Sequence, residues 1–142
     1  MKTIKGEGSP TPQVPIAPKI SVLVVDEDAN DLKLFSSLLE QAGYEVRACG
    51  TYEDALRWLG SEIFDFVIVS QGSPKFEGRS VLRQAIEIDR RLPVLVLARY
   101  ADVGCYLEAI QLCALDYLEK PLPPGELVRL VKSHLRARTE GH

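Results

Sequence analysis

Residues 20–28 read ISVLVVDED, a near-continuous apolar run closed by three acids. Such a run suits a strand buried on both faces, as in a parallel sheet. Downstream, Leu32, Phe35, Leu39 and Ala42 recur at i, i+3, i+7 and i+10, one stripe of a helix. Gly43 is the expected stop. Tyr44–Ala48 alternates apolar and charged residues and reads as an edge strand. Thr51, with Asp54 three residues later, opens a helix whose stripe is Ala55, Trp58 and Leu59. Phe64–Val69 is a second buried strand. Val81, Leu82, Ala85 and Ile86 mark a third helix. Pro93 introduces a third buried strand, Val94–Leu97. A fourth helix follows from Val103, Leu107 and Ile110, a short strand from Leu115–Leu118, and a last helix from Leu127, Leu130, Val131 and Leu135.

This is (βα)₅, which demands a parallel sheet with helices on both faces. The first, third and fourth strands are the most apolar and belong at the centre. The alternating second and short fifth belong at the edges. The order 2-1-3-4-5 satisfies both conditions, the doubly wound flavodoxin-like arrangement. Ligands then bind at the carboxyl ends of the strands, between strands 1 and 3.

Upstream, residues 1–18 hold four prolines and two glycines, which deny donors to helix or ladder, so a disordered or extended tail is expected. The folded domain is expected over 19–137 and a frayed end over 138–142. The 142 residues are 46% hydrophobic and 26% charged, an ordinary globular mix for one domain. A net charge of −3 offers no general pull toward nucleic acid or anionic membrane. There is no basic stripe and no room after 137 for a helix-turn-helix, so DNA binding is not expected. No apolar stretch approaches a membrane span. Cys49, Cys105 and Cys113 form no CxxC pair, which suits reduced packing thiols and a cytoplasmic location.

The chemistry collects at the carboxyl rim. Asp26, Glu27 and Asp28 make a negative mouth that repels a flavin or nucleotide phosphate. Hard carboxylates suit Mg²⁺ instead; alternatively, acids here simply favour the start of the first helix. Lys120-Pro121 follows the last strand, where the lysine reaches the acid pocket as a point charge. Pro121 admits a cis bond, though a trans turn is the default. His134 sits on or beside the apolar stripe of the last helix and reads as a structural residue.

With these pieces in place, the chain resembles the response-regulator receiver domain over about residues 19–137. The matching segments are VLVVDED at 22–28, FDFVIVSQGSPKFEG at 64–78, LPVLVLAR at 92–99 and ALDYLEKPLPPGEL at 114–127. The resemblance implies metal-binding roles for Asp26 and Glu27, phosphate contact for Lys120, and a switch aromatic at Tyr117. It also places an aspartate four residues before Pro74 and eight before Gly78. That position is Ser70. The family's switch Ser or Thr falls at Ala98, and the usually small next residue is Arg99.

Both missing groups touch the phosphate. A serine hydroxyl is a poor nucleophile without a neighbouring base. The sequence therefore reads as a pseudo-receiver, a non-enzymatic signalling module independent of phosphorylation. No cofactor is required, and Mg²⁺ would bind at most weakly through vestigial ligands. Arg99 is free to turn inward against Asp26 and Glu27, or to remain solvated. A signalling protein or a second copy would dock on the face of helix 4, strand 5 and helix 5, through Glu108, Asp116, Arg129, Lys132 and Arg136. The alternatives are a conventional phosphoreceiver with an unorthodox acceptor, such as Ser70 or Asp26, and a small flavodoxin-like ligand-binding domain.

Overall fold

The computed structural model describes residues 19–123 and 125–140, with side chains through 135. The tail expected over 1–18 lies outside the described residues, as do 141 and 142. In chain order the elements are β1 (Ser21–Val25), α1 (Ala29–Gln41), β2 (Glu45–Cys49), α2 (Tyr52–Ser61), β3 (Phe66–Ser70), α3 (Arg79–Ile88), β4 (Val94–Ala98), α4 (Val103–Gln111), β5 (Asp116–Glu119) and α5 (Glu126–Glu140). The helix α5 thus continues past 137, into the stretch expected to fray.

The five parallel strands lie in the order β2-β1-β3-β4-β5, as the apolar pattern requires. Period-2 alternation divides the core into two layers. Val22, Val24, Phe66, Ile68, Leu95 and Leu97 pack with Phe35 and Leu39 of α1 and Leu127 and Val131 of α5. Leu23, Val25, Val67, Val69, Val94 and Val96 pack on the other face with α2, α3 and α4. Asp28 caps α1, accepting from the backbone N–H of Asn30 and Asp31. Thr51 caps α2 through the N–H of Asp54, as its spacing predicts.

Two local readings shift. β3 begins at Phe66 rather than Phe64, because Asp65 turns aside to bond Ser21 through both backbone and carboxylate. The stripe that marks α4 in the sequence is not its buried face. Cys105 and Ala109 are buried, while Val103, Tyr106, Leu107 and Ile110 face solvent. Cys113 is also exposed rather than packed.

Candidate functional site

The register brings the rim together. Val25 pairs with Val69, so Asp26 and Ser70 emerge side by side from β1 and β3. Ala98 pairs with Glu119, and the Lys120 N–H donates to the Ala98 carbonyl at 2.8 Å. The Lys120–Pro121 bond is cis, not the default trans. Gly78 is needed because a Cβ there would lie 2.2 Å from the Ser70 carbonyl oxygen. Gly78→Ala is expected to cost roughly 1–3 kcal/mol of stability through overpacking, read as a lower urea midpoint.

Lys120 is the centre of the charge network. Its Nζ donates to Asp26 Oδ2 at 2.7 Å and to Asp31 Oδ2 at 2.9 Å. The Lys120 and Asp26 side chains are only 6% and 3% exposed. Asp26 Oδ1 also accepts from the Asp28 N–H at 3.0 Å. Burial pushes the Asp26 carboxyl above its ordinary pKa, and these bonds work against the shift.

Arg99 does not reach Asp26 or Glu27, against the inward arrangement considered from the sequence. It pairs with Asp28 at 2.6 Å and Asp31 at 3.0 Å, and its side chain remains 48% exposed. Asp26 already has Lys120, so the second cation serves the outer acids. The N–H groups of Asp31 and Asn30 hold the Asp28 pKa below the usual carboxylate range, helped by Arg99.

Asp31 therefore serves both cations and was missed in the sequence. Its spacing from Asp28, about one helical turn, was the available signal. Tyr52 was missed too. As the first residue of α2 it lies on the same rim, and its hydroxyl donates to Glu27 Oε1 at 2.8 Å and the Ser70 carbonyl at 3.2 Å. Burial and the neighbouring Glu27 carboxylate raise its pKa.

The family model for the response regulator receiver domain matches residues 22–132. The chain belongs to this family. The receiver is 31% identical over 118 residues to the phosphoglycerate transport system transcriptional regulatory protein PgtA of Salmonella typhimurium, covering 83% of this chain and 28% of that protein. It is 34% identical to the probable transcriptional regulator ycf27 of Guillardia theta, covering 83% of this chain and 46% of that one. The chain thus spans less than half the length of these relatives. Among solved structures, the BeF3-activated DrrB receiver domain is 31% identical with a TM-score of 0.74, covering 84% of this chain and 99% of that one. A CheY-like receiver from Methanospirillum hungatei JF-1 shares the fold at a TM-score of 0.82 and 24% identity, covering 88% of this chain and 100% of that one.

Within the receiver, Tyr117 points inward. It is 9% exposed, and its hydroxyl accepts from the Asp102 N–H at 3.0 Å. Ala98 is fully buried. The charges expected on one docking face are distributed differently. Glu108 pairs with Arg79 of α3 at 2.9 Å. Arg129 pairs with Glu126 of its own helix. Arg129 and Lys132 border a groove against Leu38 and Gln41 of α1. Asp116 is exposed and accepts from the Tyr117 N–H. The Arg136 side chain lies outside the described side chains. His134 packs edge-on to Phe66, as a structural residue does.

Among the described residues, no group of three His, Cys, Asp or Glu is placed to hold a metal ion. Glu27 is bonded to Tyr52, Asp26 to Lys120, and the third position is Ser70. The rim thus brings two carboxylates, Asp26 and Glu27, to the place where the family pattern has a third. None of the described helices is long and apolar enough to cross a membrane.

Proposed function

We propose that this receiver is a phosphorylation-independent protein-interaction module of a signalling system. The observation that carries this reading is Ser70, which occupies the position where the family pattern has an aspartate. An aspartyl phosphate requires a carboxylate there. The charge network supports the same reading. In it, Lys120 is held by Asp26 and Asp31, two carboxylates of the chain itself. Ala98 brings no hydroxyl to follow a phosphoryl oxygen, so modification would lack a differential contact between two conformations. The receiver acts as a signalling part rather than an enzyme and needs no Mg²⁺.

The partner surface is α4 and its flanks. Val103, Tyr106, Leu107 and Ile110 repeat at i, i+3, i+4 and i+7, and Tyr100 extends the patch across the β4–α4 loop. Val103 and Tyr100 are each 74% exposed. Contiguous apolar surface of this kind marks an interaction site. Its partner is an apolar protein face, such as that of another receiver. The buried core of this interface is apolar, while Asp116 and Glu119 of β5 supply its polar rim.

The test is incubation of the full chain with acetyl phosphate and Mg²⁺, followed by intact-mass analysis and sedimentation. Mass and sedimentation are expected to remain unchanged. A hydroxylamine-sensitive phosphate at any carboxylate would overturn the reading. A phosphate ester lost in Ser70→Ala would do the same and would favour Ser70 as acceptor.

A further inference from the structure

A buried amide lies immediately beyond the charge network. Gln71 follows Ser70, and none of its surface is exposed. Burying an amide costs free energy unless its donors and acceptor are bonded. Its Nε2 reaches the carbonyls of Ser73 and Tyr100, each at 3.4 Å. Its Oε1 accepts the Tyr117 hydroxyl. That same hydroxyl accepts from the backbone N–H of Asp102 at 3.0 Å. Asp102 is the N-cap of α4, with Oδ2 accepting from the Cys105 N–H at 2.9 Å. The Tyr117 ring also meets Tyr106 of α4 edge-on, with centroids 5.7 Å apart.

One side chain thus joins the β3–α3 loop, the β4–α4 loop and β5, and through the Tyr117 hydroxyl it reaches the N-cap of α4. None of these bonds involves Asp26, Asp31, Arg99 or Lys120. Ala98, in the same core layer as Tyr117, offers no hydroxyl to compete for either partner.

We propose that Gln71 is a latch: through Tyr117 and Asp102 it holds the start of α4 in one arrangement, whatever the state of the charged rim. The apolar face of α4 is then presented constantly. The docking role of that face rests on the reading given above; the latch itself does not.

Hydrogen exchange read by mass spectrometry tests the latch in the full chain. Gln71→Met keeps side-chain volume and removes the amide. Tyr117→Phe keeps the ring and removes the hydroxyl. Each is expected to speed exchange of the Tyr100–Tyr106 amides about tenfold, while β1 and α1 keep their rates. The double variant is expected to add little to either single one, because both break the same chain of bonds. Should Gln71→Met fail to fold, Tyr117→Phe carries the test alone. Unchanged exchange over Tyr100–Tyr106 would overturn the latch. So would an equal rise in β1 and α1, which marks ordinary loss of core stability. Local opening at α4 without any change in self-association would leave the latch standing and remove the docking reading.

Discussion

Ser70→Asp is expected to lower the stability of the metal-free protein by about 3 kcal/mol and to create a response to Mg²⁺. Ser70 is buried and emerges from β3 beside Asp26. A second carboxylate about 5 Å from the first, at an effective dielectric near 20, meets roughly 3 kcal/mol of repulsion. Lys120 does not relieve it fully, because Asp26 and Asp31 already share that ammonium. Mg²⁺ would draw both carboxylates and Glu27 together, stabilising the variant as its concentration exceeds the dissociation constant. Urea unfolding in chelator and in millimolar Mg²⁺ measures both effects. A variant as stable as the parent in chelator, and indifferent to Mg²⁺, would mean that positions 26 and 70 share no pocket.

Lys120→Met should be costlier, at about 3–5 kcal/mol near neutral pH. Removing one partner of a buried pair leaves the other charge without compensation. Here the survivor is Asp26, whose side chain is 3% exposed. Its pKa is already raised by burial, and loss of the ammonium raises it further. A carboxyl with a folded-state pKa above its unfolded value binds its proton more tightly in the fold. The associated stability is present below the unfolded pKa and is lost as pH rises through the folded one. The deficit of Lys120→Met should therefore shrink on acidification from about pH 7 to about pH 5. Asp28 titrates with the opposite sign, since its depressed pKa withdraws stability as pH falls. Subtracting the parent at each pH removes that contribution. A deficit of equal size at both values would show that the lost interaction is packing rather than charge.

The layered fold is legible because it depends on local patterns. Central strands need apolar residues on both faces, and Val22–Val25, Phe66–Val69 and Val94–Leu97 provide them. Asp28 and Thr51 announce helix starts through side chains that bond their own next turn. The meeting of Asp26 with Lys120 is legible for a topological reason, as both end strands on the same rim. The choice of salt-bridge partners is not. Arg99 lies far in sequence from Asp28 and Asp31, and nothing local distinguishes them from Glu27. Tyr52 and Gln71 were hidden because their importance lies in bonds made across the rim. The outward face of α4 was hidden for another reason: small residues, Cys105 and Ala109, let that helix lie close to the sheet, so periodicity alone does not say which side is buried.

The uneven burial of the charged rim divides its response to dissolved ions. Arg99 and Asp28 are 48% and 38% exposed, within reach of counter-ions. At physiological ionic strength screening acts over about 8 Å, and at molar salt over about 3 Å. Raising salt therefore loosens the tie between α1 and the β4–α4 loop. Lys120 and Asp26 lie beneath that surface and are screened far less, so the end of β1 stays fastened to the end of β5. The ionic strength of the buffer sets the stiffness of one edge of the rim and leaves the other unchanged.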